Sequence, residues 1–173
     1  MSGSLVKLDE QIVSTAVSSV NLTGMTSDYD VYVVQGNNIS LDTDADLLCI
    51  RTLIDGTQQT ASSYDKTGML LKANTTFQDI GGTNADFWYL DMLLGTATQE
   101  IGNFTTYCFN FGNSSEYSFI TMESTFRNSS AVLTGLAGGG VYKVAEAHNG
   151  IKYYAYTGNI DTNSRFVLYG LKK

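Results

Sequence analysis

Proline is missing from all 173 residues, histidine occurs once, and only 16% of residues are charged. The absence of proline removes the commonest device for blunting a sheet edge, so exposed edges must be covered by other chains or guarded by bulges and polar loops. A single histidine leaves the usual catalytic base one candidate position, His148. It lies in Ala147-His148-Asn149-Gly150, which reads as a solvated turn, and no Gly-x-Ser-x-Gly elbow stands nearby. Cys49 and Cys108 show neither CxxC nor Cys/His spacing, which argues against zinc; each sits in an apolar strand pattern and reads as a buried free thiol. Ten Lys and Arg against 17 Asp and Glu give a net charge of −7. Binding to phosphate backbones needs clustered cations, so nucleic acid is excluded as a partner. No apolar run approaches the roughly 18 residues that span a bilayer, so no membrane partner is expected. The start MSGSLVKLDEQ lacks the charged, apolar and cleavage segments of a signal peptide.

What the chain does contain favours sheet. Hydrophobic residues make up 43% and aromatics 12%, with 11 Tyr and 8 Phe; with abundant Thr, Val, Asn and Gly these are strand-forming and turn-forming residues. The longest pattern runs from Phe104 to Arg127, two strands joined by Gly112-Asn113-Ser114-Ser115-Glu116. Tyr107, Phe109 and Phe111 alternate on one face, with Tyr117 and Phe119 alternating in the second strand; Ser118, Ile120 and Met122 take the opposite face. Apolar groups on both faces predict a central hairpin buried on both sides.

Around it, Asp28–Gln35 reads as a strand closed by a Gly36-Asn37-Asn38 turn, and Asp46–Ile54 as a buried strand ended by Asp55-Gly56. Ser62–Ala73 reads as a strand bent or bulged at Gly68, and Gly81-Gly82-Thr83-Asn84 as a loop. Phe87–Leu94 begins as a strand with Trp88 and Leu90 inward, and Gly95–Gly102 is an exposed loop. Beyond Arg127, short segments Ala131–Leu136, Val141–Ala147, Ile151–Tyr156 and Arg165–Leu171 follow, with Asn149-Gly150 as a hairpin signal. The expected fold is all-β, a β-sandwich of about ten strands with little helix and a jelly roll as leading topology. Residues 1–20 form an N-terminal arm or a first strand, and residues 21–173 the single sandwich domain.

Candidate chemistry is sparse. Asp42-Thr43-Asp44-Ala45-Asp46 has alternate carboxylates such as calcium uses, but without the sixth-position glycine and distal glutamate of the helix-loop-helix site it reads as an acidic turn. Asp86, Asp91, Glu100, Glu116 and Glu123 could supply a hydrolytic pair, yet no motif marks any of them. Gly138-Gly139-Gly140 lacks the Lys-Ser/Thr and helix of a phosphate loop; it reads as a tight connection or a close approach of two backbones. No catalytic, cofactor-binding or metal-binding residue is assigned. Candidate contact residues are Leu5, Val6, Leu8, Ile12 and Val13 in the N-terminal segment, and Tyr153, Tyr154 and Tyr156, read as exposed tyrosines suited to a subunit interface or a sugar-stacking platform.

Four stretches carry a family resemblance: LVKLDEQIVSTAVSSVNLTG near the start, Asn-Ser-Ser-Glu-Tyr-Ser-Phe at 113–119, the glycines at 138–140, and Gly158-Asn159-Ile160-Asp161 leading into RFVLYGLKK. In these the chain resembles small all-β virion proteins of tailed bacteriophages, notably marine ones. The resemblance implies a non-enzymatic virion component with a jelly-roll-like domain, oligomeric and favouring a trimer, made in the host cytoplasm. A head decoration or cement protein on the exterior of the major capsid lattice is the leading expectation. The alternative is a tail-fibre or receptor-binding tip whose end loops recognise host surface glycan.

Overall fold

The computed structural model describes residues 4–171. Its strands are β1 (Leu5–Ile12), β2 (Ser19–Thr23), β3 (Val31–Ile39), β4 (Leu48–Ile54), β5 (Thr57–Gln58), β6 (Tyr64–Lys72), β7 (Phe77–Ala85), β8 (Trp88–Tyr89), β9 (Gly102–Phe109), β10 (Ser118–Arg127), β11 (Leu133–Tyr142), β12 (Gly150–Ala155) and β13 (Arg165–Leu171). They form two antiparallel sheets packed as a β-sandwich. The larger has eight strands in the order β1-β13-β3-β9-β10-β11-β6-β7; the smaller runs β2-β12-β4-β5, with β8 also paired to β4. An eight-plus-five division does not confirm the jelly roll, which distributes eight strands as two Greek keys.

The β9–β10 hairpin lies at the middle of the large sheet, the central place expected of it. Burial on both faces is not found. Phe104, Cys108, Ile120, Met122 and Phe126 point into the sandwich and are buried, whereas Tyr107, Tyr117 and Phe119 are exposed to solvent. The smaller sheet covers only the inner face, so the alternation of aromatic and polar residues is a one-sided pattern with unusually apolar outward positions.

Glycine accounts for several other departures. Gly36-Asn37-Asn38 is not a terminal turn. It is an irregularity within β3, with Asn38 at φ 55 and its N–H donating to Asn103 Oδ1 at 3.0 Å, after which Ile39 rejoins the ladder. Asparagine tolerates this left-handed region better than most residues. Gly68 does not bend β6, because the register with β11 and β7 runs unbroken through it. Its reason is proximity: a Cβ there would lie 2.9 Å from the Ala137 carbonyl oxygen and 3.0 Å from the Gly138 Cα. Gly138-Gly139-Gly140 likewise sits inside β11, joining the two short segments expected there into one ten-residue strand. Gly81-Gly82-Thr83-Asn84 belongs to the edge strand β7 and is not a loop.

Asn149-Gly150 makes no hairpin either. β11 and β12 lie in different sheets, and the pair ends the crossover between them. Asn149 instead exchanges side-chain hydrogen bonds with Asp55, accepting from its N–H at 2.9 Å and donating to its carboxylate at 2.7 Å. Asp55-Gly56 does form the two-residue hairpin turn between β4 and β5, with φ 49 and 77 as a primed turn requires. Residues 5–12 pair with β13 as an edge strand of the same chain. The core between the sheets contains Trp88, Tyr32, Tyr64, Tyr142, Tyr153, Phe111 and Phe166, all fully buried.

Candidate interaction face

Along β12 the side chains alternate, which divides the three tyrosines expected at the surface. Tyr153 turns inward and is fully buried, its ring 5.0 Å from Phe104 in a stacked pair and 5.4 Å from Phe166. Its expected exposure is therefore overturned: it is a core residue. Tyr154 faces out from the small sheet and is half-buried, while Tyr156, just past the strand, is 57% exposed. In the N-terminal set, Leu5 and Ile12 are exposed, Val6 and Leu8 half-buried, and Val13 is buried in the core, so Val13 too is removed from any surface. The N-terminal residues of β1 belong to the large sheet and the tyrosines to the small one; the two groups are not brought together.

What the tyrosines join is an aromatic cluster. The Phe87 ring centre lies 6.0 Å from Tyr89, 6.1 Å from Tyr154 and 5.8 Å from Tyr156. The Arg51 guanidinium stands 5.8 Å from Phe87 and 5.1 Å from Tyr154, and Lys152 Nζ lies 5.8 Å from the Tyr154 ring. Arg51 is held in place because its Nε donates to the Asp86 carbonyl at 2.9 Å and its terminal nitrogen pairs with the Asp86 carboxylate. A guanidinium fixed by a carboxylate and flanked by aromatic faces is a rigid, partly desolvated cation, and cation–π attraction adds to that rigidity. Phe87 and Arg51 were not singled out from sequence. The signal was present in Phe87-Trp88-Tyr89-Leu90: with Trp88 and Leu90 inward, both fully buried as expected, Phe87 and Tyr89 must face outward.

Beneath the cluster the titratable groups are structural. Burial pushes the Cys49 thiol up to about 12, with the Asp46 charge adding to the effect, so it is not a ready nucleophile. Burial raises the Cys108 thiol as well, and both cysteines are free. Lys66 is buried, with Nζ 3.2 Å from an Asp91 carboxylate oxygen and 3.0 Å from the Tyr89 ring centre. Desolvation brings its ammonium down to about 8, against the opposing pull of Asp91. The pair ties β6 to the segment following β8.

His148 is not the solvated turn residue its sequence context suggests. It is buried, with Nδ1 3.0 Å from Ser118 Oγ and Nε2 3.5 Å from Glu146 Oε1, and its ring packs against Phe111 and Tyr142 at 5.5 and 5.1 Å. Serine, histidine and carboxylate thus meet, but Ser118 is fully buried and no substrate carbonyl can reach its hydroxyl. Burial holds the imidazole below its ordinary pKa, opposed by Glu146. The acids considered for hydrolysis are dispersed: Asp86 serves Arg51, Asp91 serves Lys66, Glu100 caps its own loop at Ala97 N–H, and Glu116 and Glu123 are exposed.

The Asp42–Asp46 turn also has a structural task. Asp46 is buried and accepts from the N–H groups of Leu47, Thr157 and Gly158, while Asp42 accepts from the backbone and side-chain amides of Asn159. These hydrogen bonds hold Asp42 below the usual carboxylate range. Among the described residues no group of three or more His, Cys, Asp or Glu is arranged to hold a metal. Comparison with family models, with curated proteins and with solved structures finds no match.

Proposed function

We propose that this protein is a non-enzymatic virion structural protein, a decoration or cement protein of a phage head, attached through the aromatic face of its small sheet. The observation that carries the reading is the cluster of Phe87, Tyr154 and Tyr156 around a fixed Arg51. Tyrosine, phenylalanine and arginine are enriched at the cores of protein–protein interfaces, and a few such anchors supply most of the binding free energy. The scarcity of charge over the chain suits a domain that spends its working life against neighbours. The sequence resemblance to small all-β virion proteins supplies the setting, with the major capsid protein and further copies of the chain as partners and a trimer as the favoured assembly. Nothing in the role requires catalysis, in keeping with a histidine and a serine sealed in the core.

Copy number in purified virions tests this directly. Hundreds of copies per particle by quantitative mass spectrometry is the expected result; a few tens or fewer would move the protein to the tail. Tyr156→Ala combined with Phe87→Ser should lower occupancy on heads about tenfold or more while leaving the melting temperature near wild type, since truncating an interface anchor typically costs at least 2 kcal/mol.

A further inference from the structure

The outer face of the large sheet carries a groove of about 500 Å³, on the side of the sandwich away from the aromatic cluster. It crosses β3, β9, β10, β11 and β6, and five strands at the usual spacing make it about 19 Å long. Gln35, Asn37 and Asn103 bring amides to it, Thr105 and Thr125 hydroxyls, and Glu123 a carboxylate, over a floor that includes Gly135 and Ala137. Among the described residues, the side chains of Gln35, Asn37, Thr105, Glu123 and Thr125 make no hydrogen bond or ion pair within the chain. Their hydrogen-bonding capacity converges on the groove unused.

We propose that this groove binds a neutral oligosaccharide. Amides and hydroxyls both donate and accept, and a carboxylate accepts from two hydroxyls at once, a set matched by a chain of sugar hydroxyls. The lining contains no lysine, arginine or histidine to balance a phosphate, sulfate or uronate, and Glu123 repels each of them. Leu71 is the one exposed large apolar member, with Phe104 and Leu136 buried beneath the floor, too little apolar surface to hold a hydrocarbon ligand or an apolar protein anchor. Tyr107, next outward from Thr105 on β9 and 40% exposed, offers a ring against which the C–H face of a sugar can lie. The site is independent of the attachment proposed above and stays open when the opposite face is covered. It also differs in place from recognition by end loops, because every lining residue lies on a strand.

The test uses the full chain, labelled with ¹⁵N, titrated at millimolar concentration with cellohexaose, maltohexaose, laminarihexaose, mannohexaose and chitohexaose, with hexagalacturonate as the charged comparison. At least one neutral hexasaccharide should shift the side-chain amides of Gln35, Asn37 and Asn103, and hexagalacturonate should not. Glu123→Ala should weaken that binding about tenfold, the loss expected when a charged hydrogen-bond acceptor is removed. Ala137→Tyr, whose side chain fills the floor from an exposed position, should abolish it at unchanged melting temperature. No response to any neutral hexasaccharide, a response mapping to the loops, or binding unaffected by both variants would each overturn the proposal.

Discussion

His148 carries the sole imidazole of the chain, so its ring protons can be followed by NMR without ambiguity. Burial against Phe111 and Tyr142 lowers its pKa in the folded state, while the unfolded state titrates near 6.5. The unfolded chain therefore takes up the proton first on acidification. The stability linked to this group is present above about pH 6.5 and is lost as pH falls below it. A titration midpoint below 6.5, together with a melting temperature that drops between pH 7 and 5 and drops less in His148→Asn, is the expected outcome. Asp46→Ala should cost about 1–3 kcal/mol in denaturant unfolding, because it removes the buried carboxylate that accepts from the partly buried N–H groups of Thr157 and Gly158. Neither role was legible in the sequence. Two of the groups that enclose His148, Ser118 and Phe111, lie 30 and more residues away, and Asp46 reaches across to Thr157, so local turn chemistry described their neighbourhood without these contacts.

Strands and their faces were more legible than their ends. Period-two alternation placed Trp88 and Leu90 inward, because alternation reports burial directly; apolar residues on both faces of the β9–β10 hairpin pointed to its central place, although only one of those faces is buried. Glycine misled in both directions, since the same residue marks a turn or a close approach and only the neighbouring strand decides which. Two substitutions separate these roles. At Gly138 a Cβ would sit 2.7 Å from the Thr67 carbonyl oxygen and 3.2 Å from the Gly68 Cα, both backbone atoms. Gly138→Ala should destabilise by about 1–3 kcal/mol, as overpacking does. Gly82 in β7 has nothing within 4 Å of its would-be Cβ, and its φ is not positive. Gly82→Ala should stabilise by about 0.4–1 kcal/mol through the unfolded chain. Urea unfolding of the two variants beside wild type measures both.

Across the whole molecule, composition made the all-β class legible, but the division into sheets was hidden. Crossovers such as 143–149 carry the chain from one sheet to the other with the same Gly and Asn signals that close hairpins, and strand order depends on pairings far apart in sequence. The N-terminal segment shows the consequence for assembly. Had it been a free arm, deleting residues 1–20 would leave the domain intact. With β1 pairing β13, and Val13 and Val20 in the core, the deletion should lower the melting temperature markedly and raise the susceptibility of β13 to proteolysis. Differential scanning calorimetry checks the first and limited proteolysis the second.

The large sheet outruns its cover at the other end. Nearly every residue of β7 is exposed on both faces, and its ladder attaches to β6 alone. Little apolar surface is lost when that strand lifts away, so its amide protons should exchange with deuterium well ahead of those of β9 and β10, through an opening that leaves the rest of the sandwich closed. Under a pulling force, the same strand would be the first to peel.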